Sequence, residues 1–181
     1  MSDALEKLNK DLNRFDEDKL SVGIGINTGE CIVGNMGSDK RFDYTVLGDA
    51  VNLASRLEGQ SGNYGMQIIL GEESTQGLSN ERFSICELDS IAVKGKSEPV
   101  NIYTVFKKDS SEITNGTFLE EHESFLADYR SQNWEKALIH IDKYRLSQPK
   151  FTLYYTLFLD RINELSKKQL PENWSGVFIA E

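Results

Sequence analysis

The sequence is short of basic residues, of cysteine and of long apolar runs. It has 20 Lys and Arg against 29 Asp and Glu, which gives a formal net charge of −9. Nonspecific binding to nucleic acid depends on clustered Lys and Arg, so we expect no nucleic-acid partner. The two cysteines, Cys31 and Cys86, lie far apart and lack ligand-like neighbours. This pattern argues against a disulfide framework or a metal cluster and predicts two buried, reduced thiols.

No apolar run approaches the roughly 20 residues that a helix needs to cross a bilayer, and the N-terminus lacks the layout of a signal peptide. We therefore expect a cytoplasmic chain without membrane contact, either on its own or as the cytoplasmic end of a longer sensor protein. A length of 181 residues and a hydrophobic content of 39% are enough for a real core. They favour one domain with a small extension.

The N-terminal part changes from a helical to an extended pattern. Residues 2–18 carry apolar side chains at helical spacing, which predicts an amphipathic helix. Residues 20–27 alternate apolar side chains with small or polar ones, including Gly23 and Gly25, and this alternation predicts a strand. Its glycines would let another element approach one face closely. A second strand and a glycine-rich hairpin tip are expected over residues 31–41.

The stretch Arg41–Glu58 predicts a strand, a turn and a helix. Residues that favour strands lead to the turn at Gly48, and Asp49 is placed to cap the following helix. On that helix an apolar stripe faces one way, while Asn52 and Arg56, spaced i and i+4, share the opposite side. An amide and a permanent cation are thus presented together. The plain alternative is a solvated helix face.

The residues that follow predict further strands around one short helix. Strands are expected at residues 66–70, 83–93 and 100–106, a short helix at 72–78, and a tight basic turn at Lys94-Gly95-Lys96. This order indicates an α+β domain over residues 1–106, with one mainly antiparallel sheet and helices packed against it.

A polar, turn-rich linker is expected at residues 107–116, and residues 117–181 are expected to form a helical extension. Two amphipathic helices with a break near Gln132, and a third after Pro149, precede an irregular tail from Pro171. The first two resemble a single tetratricopeptide-like hairpin, and one copy cannot form a solenoid. We expect these helices to cap the domain or to pack on a partner.

Four motifs of the sequence occur in an order and at a spacing that indicate a family resemblance. They are Val22–Glu30, Val33–Ser38, Asp43–Arg56 and Val93–Lys96. Together they resemble the second half of a class III adenylate or guanylate cyclase catalytic domain, over Leu5–Phe106. The resemblance implies a ferredoxin-like core that lacks its first strands. It also implies that two such domains pair head to tail, with the active sites at their interface.

The resemblance assigns roles to four residues. It implies that Asn52 orients the ribose, that Arg56 stabilises charge on the α-phosphate in the transition state, and that Lys94 holds the terminal phosphates. Each residue type suits its task, because an amide donates and accepts, a guanidinium is permanently charged and forked, and a lysine is a compact point charge. Thr45 occupies the base-selecting position, as in a bacterial subset with Thr or Ser there. The alternative for Asn52 and Arg56 is a solvated helix face. The alternative for Lys94 is a basic hairpin turn, and that for Thr45 is an ordinary strand residue.

The implied activity is the conversion of ATP to cyclic AMP and pyrophosphate in signal transduction. The Thr45 hydroxyl can accept a hydrogen bond from the adenine amino group. The Lys that usually accompanies the base-selecting residue is not in this chain. A preference for adenine over guanine therefore rests on the bacterial subset alone.

The resemblance also implies a need for Mg²⁺ or Mn²⁺, which two Asp residues hold on elements that would precede Met1. No Asp of this chain matches that motif, and no dedicated metal ligand is assigned to it. His122 and His140 lack clustered ligand-type neighbours and are expected to be core or surface residues. The chain thus resembles the C-terminal portion of a cyclase, from truncation or from a split gene. We expect it to be inactive alone.

Two functional classes stay open. The first is a portion of an adenylate cyclase that binds ATP in a shared site, as a homodimer or with the missing N-terminal half of the domain. The second is a noncatalytic cyclase-like module for dimerisation or regulation. Metal-binding strands upstream in the parent reading frame would favour the first class. A natural start at Met1 would favour the second.

Overall fold

The computed structural model describes residues 1–14, 18–38, 41–78, 81–93, 98–108 and 117–180. Within these residues the chain forms a five-stranded sheet, a separate two-stranded hairpin and a set of α-helices. The predicted α+β class is therefore confirmed. Among the same residues, every helix is too short or too polar to cross a membrane.

The order of elements follows the predicted order over the first 107 residues and continues as a helical extension. In chain order the elements are α1 (Ser2–Asp11), β1 (Ile24–Ile26), β2 (Ile32–Ser38), β3 (Arg41–Leu47), α2 (Asp49–Tyr64), β4 (Ile68–Gly71), α3 (Glu72–Thr75), β5 (Phe83–Val93), β6 (Val100–Lys107), α4 (Phe118–Arg130), α5 (Trp134–Ser147), a 3-10 turn (Pro149–Phe151), α6 (Thr152–Leu165) and β7 (Phe178–Ala180).

The main sheet has the order β1-β4-β6-β5-β7 and is antiparallel in its centre. Its two edge pairings, β1 with β4 and β5 with β7, are parallel. Strands β2 and β3 form an antiparallel hairpin apart from this sheet, in which Ile32 lies opposite Leu47. The hairpin leads directly into α2, which packs against β1 and β4. The sheet therefore carries α2 at its β1 edge.

The extension packs on the sheet and shares its core. Phe118, Phe151 and Tyr154 of the extension belong to the same buried cluster as residues of the first part. The rings of Phe106 on β6 and Phe151 lie 5.7 Å apart, and those of Tyr64 and Tyr154 lie 6.4 Å apart. Offset and tilted aromatic pairs of this kind are favourable beyond the area that they bury. The helices of the extension therefore cap the sheet.

Some local predictions were wrong at the ends of elements. Asp49 was expected to cap α2, but the N-cap is Gly48 and Asp49 is the first helical residue. There its carboxylate interacts favourably with the helix dipole. The first helix ends at Asp11, because Asn13 takes a left-handed conformation with φ 49°. Helix α3 spans only Glu72–Thr75 of the predicted 72–78.

Two further differences concern residues whose partners are distant in sequence. Cys86 is buried as expected, but Cys31 is exposed, because it precedes a hairpin that stands apart from the sheet. The tail was expected to be irregular throughout, yet Phe178–Ala180 form β7 beside Ile91–Val93. A three-residue strand has no pattern of its own, and only the open edge of β5 makes it pair.

Candidate active site

The candidate site is built on α2, whose two sides differ in the way that the sequence predicts. Leu53 and Leu57 are buried towards the sheet, whereas Asn52 is exposed and Arg56 is half-buried. Residues four positions apart lie one above the other on a helix. The structure therefore brings Asn52 and Arg56 together on the side of α2 that faces away from the core.

The polar groups of Asn52 and Arg56 remain available to a ligand. Across the residues that the structure describes, neither side chain makes a hydrogen bond or an ion pair with another group of the protein. The amide keeps its donors and its acceptor, and the guanidinium keeps its five N–H donors in a rigid fork. Such a pair can hold an oxyanion and a hydroxyl at a fixed separation.

Helix α2 lies directly on β1, and the glycines in and just after that strand make this possible. A Cβ atom at Gly25 would lie 2.1 Å from the backbone oxygen of Ala54 and 2.2 Å from the backbone nitrogen of Glu58. A Cβ atom at Gly29 would lie 2.6 Å from the Cβ atom of Ala50. The element whose close approach the glycines predict is therefore α2 itself, the helix that carries the candidate residues.

Asn27 fixes the start of α2, a role that the sequence does not predict. Its side-chain nitrogen donates a hydrogen bond of 3.1 Å to the backbone oxygen of Ala50 in the first helical turn. The residue directly follows β1, so its position at the end of the strand was predictable. Its role was not, because the acceptor lies 23 positions along the chain.

Thr45 lies on β3, opposite Gly34 of β2, and is half-buried. Strand β3 continues through Gly48 into α2, so Thr45 and Asn52 border the same turn. The turn is tight, since a Cβ atom at Gly48 would lie 2.9 Å from the backbone oxygen of Glu30. A hydroxyl before this turn and an amide after it are thus held by one short piece of backbone.

Lys94 lies outside the described residues. Strand β5 leads up to it and ends at Val93, which is buried and lies beside Ala180 of β7. The assignment of Lys94 to the terminal phosphates therefore stays a prediction.

The described residues do not form a metal site. Within the ranges given above, no group of three or more His, Cys, Asp or Glu side chains could hold a metal ion. His122 is a buried core residue, with Nδ1 2.9 Å from the Tyr155 hydroxyl and Nε2 2.8 Å from the backbone oxygen of Glu87. His140 lies 3.5 Å from the carboxylate of Asp128. Both histidines are thus engaged within the extension and its contact with the sheet.

Comparisons with known proteins place these residues in a family context. The model of the adenylate and guanylate cyclase catalytic domain matches residues 1–107. An adenylate cyclase of Anabaena cylindrica is 42% identical over 111 residues, which cover 58% of this chain and 22% of that protein. The crystal structure of the adenylyl cyclase CyaB from P. aeruginosa matches with a TM-score of 0.49 and 39% identity, over 60% of this chain and 53% of that chain.

A second relative is similar over a longer stretch. The terminal-differentiation specific adenylate cyclase of Dictyostelium discoideum is 36% identical over 131 residues, which cover 70% of this chain and 6% of that protein. This stretch is longer than the family match, so part of it lies beyond Lys107. The chain spans less than a quarter of the length of either curated relative. The tetratricopeptide-like character of the extension stays a prediction.

Proposed function

Because the chain belongs to the adenylate and guanylate cyclase catalytic domain family, we propose that it is the C-terminal portion of an adenylate cyclase. The reaction would convert ATP to cyclic AMP and pyrophosphate. The observation that carries this proposal is the unengaged pair Asn52 and Arg56 on a helix that is seated on β1. The names of the Anabaena and Dictyostelium relatives support adenine as the base.

The chemistry needs charge stabilisation more than it needs a reactive side chain. The ribose 3′-oxygen bonds to the α-phosphorus, the bond from that phosphorus to the bridging oxygen breaks, and pyrophosphate leaves with the electron pair. The 3′-hydroxyl proton is released to solvent. Negative charge on the phosphate oxygens must be stabilised along this path, and preorganised donors do this best.

Arg56 suits that task by its position as well as by its charge. The side chain is half-buried, so its motion is restricted and its field is less screened than that of an exposed cation. Its fork can donate two parallel hydrogen bonds to the α-phosphate. Asn52, one turn away, would orient the ribose, and Thr45 would accept a hydrogen bond from the adenine amino group. Lys94 would hold the terminal phosphates.

The divalent cation of the family reaction does not fit the described part of this chain, where no suitable ligand group occurs. Mg²⁺ is usually held by one or two carboxylates together with substrate phosphates. We therefore assign Mg²⁺ or Mn²⁺ to carboxylates outside the described residues, on the elements that precede this half in the family. The roles proposed for Asn52, Arg56, Lys94 and Thr45 do not depend on the identity of those ligands.

The surface of the first part supports a shared site. Ile32 and Tyr44 on the β2–β3 hairpin are 75% and 76% exposed, and the strand register places them on opposite faces. Both faces of the hairpin thus carry an exposed large apolar side chain. In the described part of the chain, β1 is paired with β4 on one side only. We propose that a second copy or the N-terminal half of the domain covers these surfaces. The same surfaces favour the second candidate function, a noncatalytic module that only associates.

An activity assay separates these candidates. The chain alone, incubated with ATP and either Mg²⁺ or Mn²⁺, should form no cyclic AMP above a boiled control. The complete protein, with the preceding half of the domain, should form cyclic AMP and pyrophosphate in equal amounts from ATP and much less cyclic GMP from GTP. Turnover by the chain alone would overturn the half-site proposal. A complete protein that associates but makes neither product would establish the noncatalytic module.

A further inference from the structure

Three side chains from three elements meet inside the protein, at the C-terminal end of α2. The Tyr64 hydroxyl donates a hydrogen bond of 2.6 Å to Oδ2 of Asp89 on β5. The guanidinium of Arg161 on α6 donates to the same oxygen at 2.6 Å and to the Tyr64 oxygen at 3.1 Å. Tyr64, Asp89 and Arg161 are 0%, 1% and 7% exposed. We call this group the Tyr64–Asp89–Arg161 cluster.

The backbone of β5 aims Asp89 into the cluster. The pairing of β5 with β6 shifts register between Glu87 and Asp89, and such a bulge re-aims the side chains around it. The second carboxylate oxygen of Asp89 accepts a hydrogen bond of 2.8 Å from the backbone N–H of Ser90. Three donors thus surround one buried carboxylate, as a charge in an apolar interior requires.

Aromatic rings enclose the guanidinium of Arg161. Its central carbon lies 3.6 Å from the ring centre of Phe178 on β7, 4.9 Å from that of Phe158 and 5.5 Å from that of Tyr64. A cation over an aromatic face is attracted by the ring and shielded from water. The cluster therefore connects α2 with β5, α6 and the C-terminal strand at one point.

We propose that Arg161 is a positioning residue for the cyclase reaction, which fixes the C-terminal end of α2 and thereby the placement of Asn52 and Arg56. This inference rests on the proposed function. It makes the extension part of the catalytic unit, although the family match ends at residue 107.

The geometry of α2 explains how the cluster acts at a distance. Arg56 lies eight residues before Tyr64, which is about 12 Å along a helix. Asn27 holds the first turn of α2, Gly25 of β1 packs against its middle, and the cluster holds its C-terminal end. A helix that is held at both ends can neither tilt nor rotate about its axis. A reacting group that is displaced by about 1 Å can lose about a hundredfold in rate, so this restraint matters for catalysis.

Tyr64→Phe is the sharpest test. It removes the one hydroxyl that connects α2 to the ion pair and leaves the contact between Asp89 and Arg161 in place. Tyr154→Phe is its matched control. The Tyr154 hydroxyl is also buried, and it donates a hydrogen bond of 2.7 Å to the backbone oxygen of Leu88 on β5, not to a group of α2 or of the ion pair. Both variants lose one buried tyrosine hydroxyl, so both should lower the thermal unfolding midpoint. The decrease should be larger for Tyr64→Phe, because its hydroxyl donates to a carboxylate and that of Tyr154 to a neutral carbonyl.

The kinetic readout separates positioning from stability. In the complete enzyme, Tyr64→Phe should lower kcat about tenfold with little change in KM for ATP, because the misplaced groups act mainly in the transition state. Tyr154→Phe should leave kcat unchanged. Arg161→Lys should behave as Tyr64→Phe does, since a single ammonium cannot reproduce the fork that reaches both partners. If Tyr64→Phe, assayed below its unfolding temperature, has the same kcat as the wild type, the inference is overturned.

Hydrogen exchange provides a readout that does not need activity. Amides of α2 around Asn52 and Arg56 should exchange faster in Tyr64→Phe than in Tyr154→Phe at equal global stability. Equal exchange in the two variants would also overturn the inference. If the wild-type complete protein has no cyclase activity, the proposed function fails. The exchange measurement would then still decide whether the cluster holds α2.

Discussion

The side-chain amide of Asn27 and the backbone oxygen of Ala50 lie 3.1 Å apart, which ties the end of β1 to the first turn of α2. The same strand meets the middle of the helix at Gly25. Hydrogen bonding and close packing thus act together to seat the helix that carries Asn52 and Arg56. Changes in β1 should therefore affect the candidate site without touching its polar side chains.

Replacing Gly25 with Ala should destabilise the protein by about 2–3 kcal/mol, the upper part of the range for overpacking a tight interior contact. The new methyl group would lie 2.1 Å from the backbone oxygen of Ala54 and 2.2 Å from the backbone nitrogen of Glu58. Backbone atoms of a helix cannot move singly, so α2 as a whole must shift. Urea unfolding of the two proteins measures the difference in unfolding free energy.

Gly59→Ala is the control for this substitution, because Gly59 lies on α2 and a Cβ atom there would meet nothing within 4 Å. Ala favours a helix over Gly by up to about 1 kcal/mol, so this variant should be at least as stable as the wild type. Equal unfolding free energies for Gly25→Ala and the wild type would show that α2 is not seated on β1 in this way.

The packing of α2 on β1 was largely predictable, because the sequence patterns that indicate it are local. The alternation in residues 20–27 predicted a strand with one face open to close approach, and the helical spacing of Leu53 and Leu57 predicted which side of α2 faces the core. Asn52 and Arg56 then had to lie on the other side. Periodicity gives the direction of a side chain whenever one face of an element is buried.

The contacts at the C-terminal end of α2 were not predictable, because the residues that make them are distant in sequence. Asp89 and Arg161 are 72 positions apart, and Asp89 lies in a strand pattern that gives no reason for a buried charge. The bulge that aims its carboxylate depends on the pairing with β6. Strand β7 likewise exists only because the edge of β5 is open to it. Such features follow from tertiary packing and leave no periodic signal.

Lowering the pH from 7 to 5 should reduce the unfolding free energy by about 2 kcal/mol through His122 alone. Burial lowers the pKa of His122 from 6.5 to about 4, against a smaller opposite effect of the Glu87 backbone oxygen. Between these two values the unfolded chain binds a proton that the folded chain does not bind. Stability contributed by the neutral imidazole is therefore present above pH 6.5 and is lost as the pH falls towards 4.

Urea unfolding at pH 7 and pH 5 measures this effect, with His122→Gln as the test variant. Its amide can still donate to the Glu87 oxygen and accept from the Tyr155 hydroxyl, so it should fold and should lack this part of the pH dependence. Other groups also titrate in this range, so the difference between the two proteins is the quantity of interest. Tyr154→Phe, which keeps His122, should retain the wild-type slope. An unchanged slope in His122→Gln would contradict the prediction.

Replacing Arg56 with Ala in the complete enzyme should lower kcat about a hundredfold or more, the scale for losing one preorganised charge-stabilising group. The KM for ATP should change less, because the group acts mainly in the transition state. Ser55→Ala, an exposed neighbour on the same helix, is the control and should keep wild-type kinetics. If Arg56 only forms a solvated face of α2, both substitutions would be nearly silent.

Mixing two defective proteins tests whether Arg56 belongs to a site that is shared between subunits. One protein carries Arg56→Ala, and the other lacks a metal-binding Asp in the proposed N-terminal half of the domain. In a head-to-tail pair each site would combine the metal-binding half of one subunit with Arg56 of the other. One site of the mixed dimer would then collect both lesions, and the other would contain none. Activity should therefore reappear on mixing, up to about half of the wild-type rate per mixed dimer, whereas each mutant alone stays inactive. A mixed dimer that forms, as shown by differently tagged subunits, but stays inactive would refute the placement of Arg56 in a shared site.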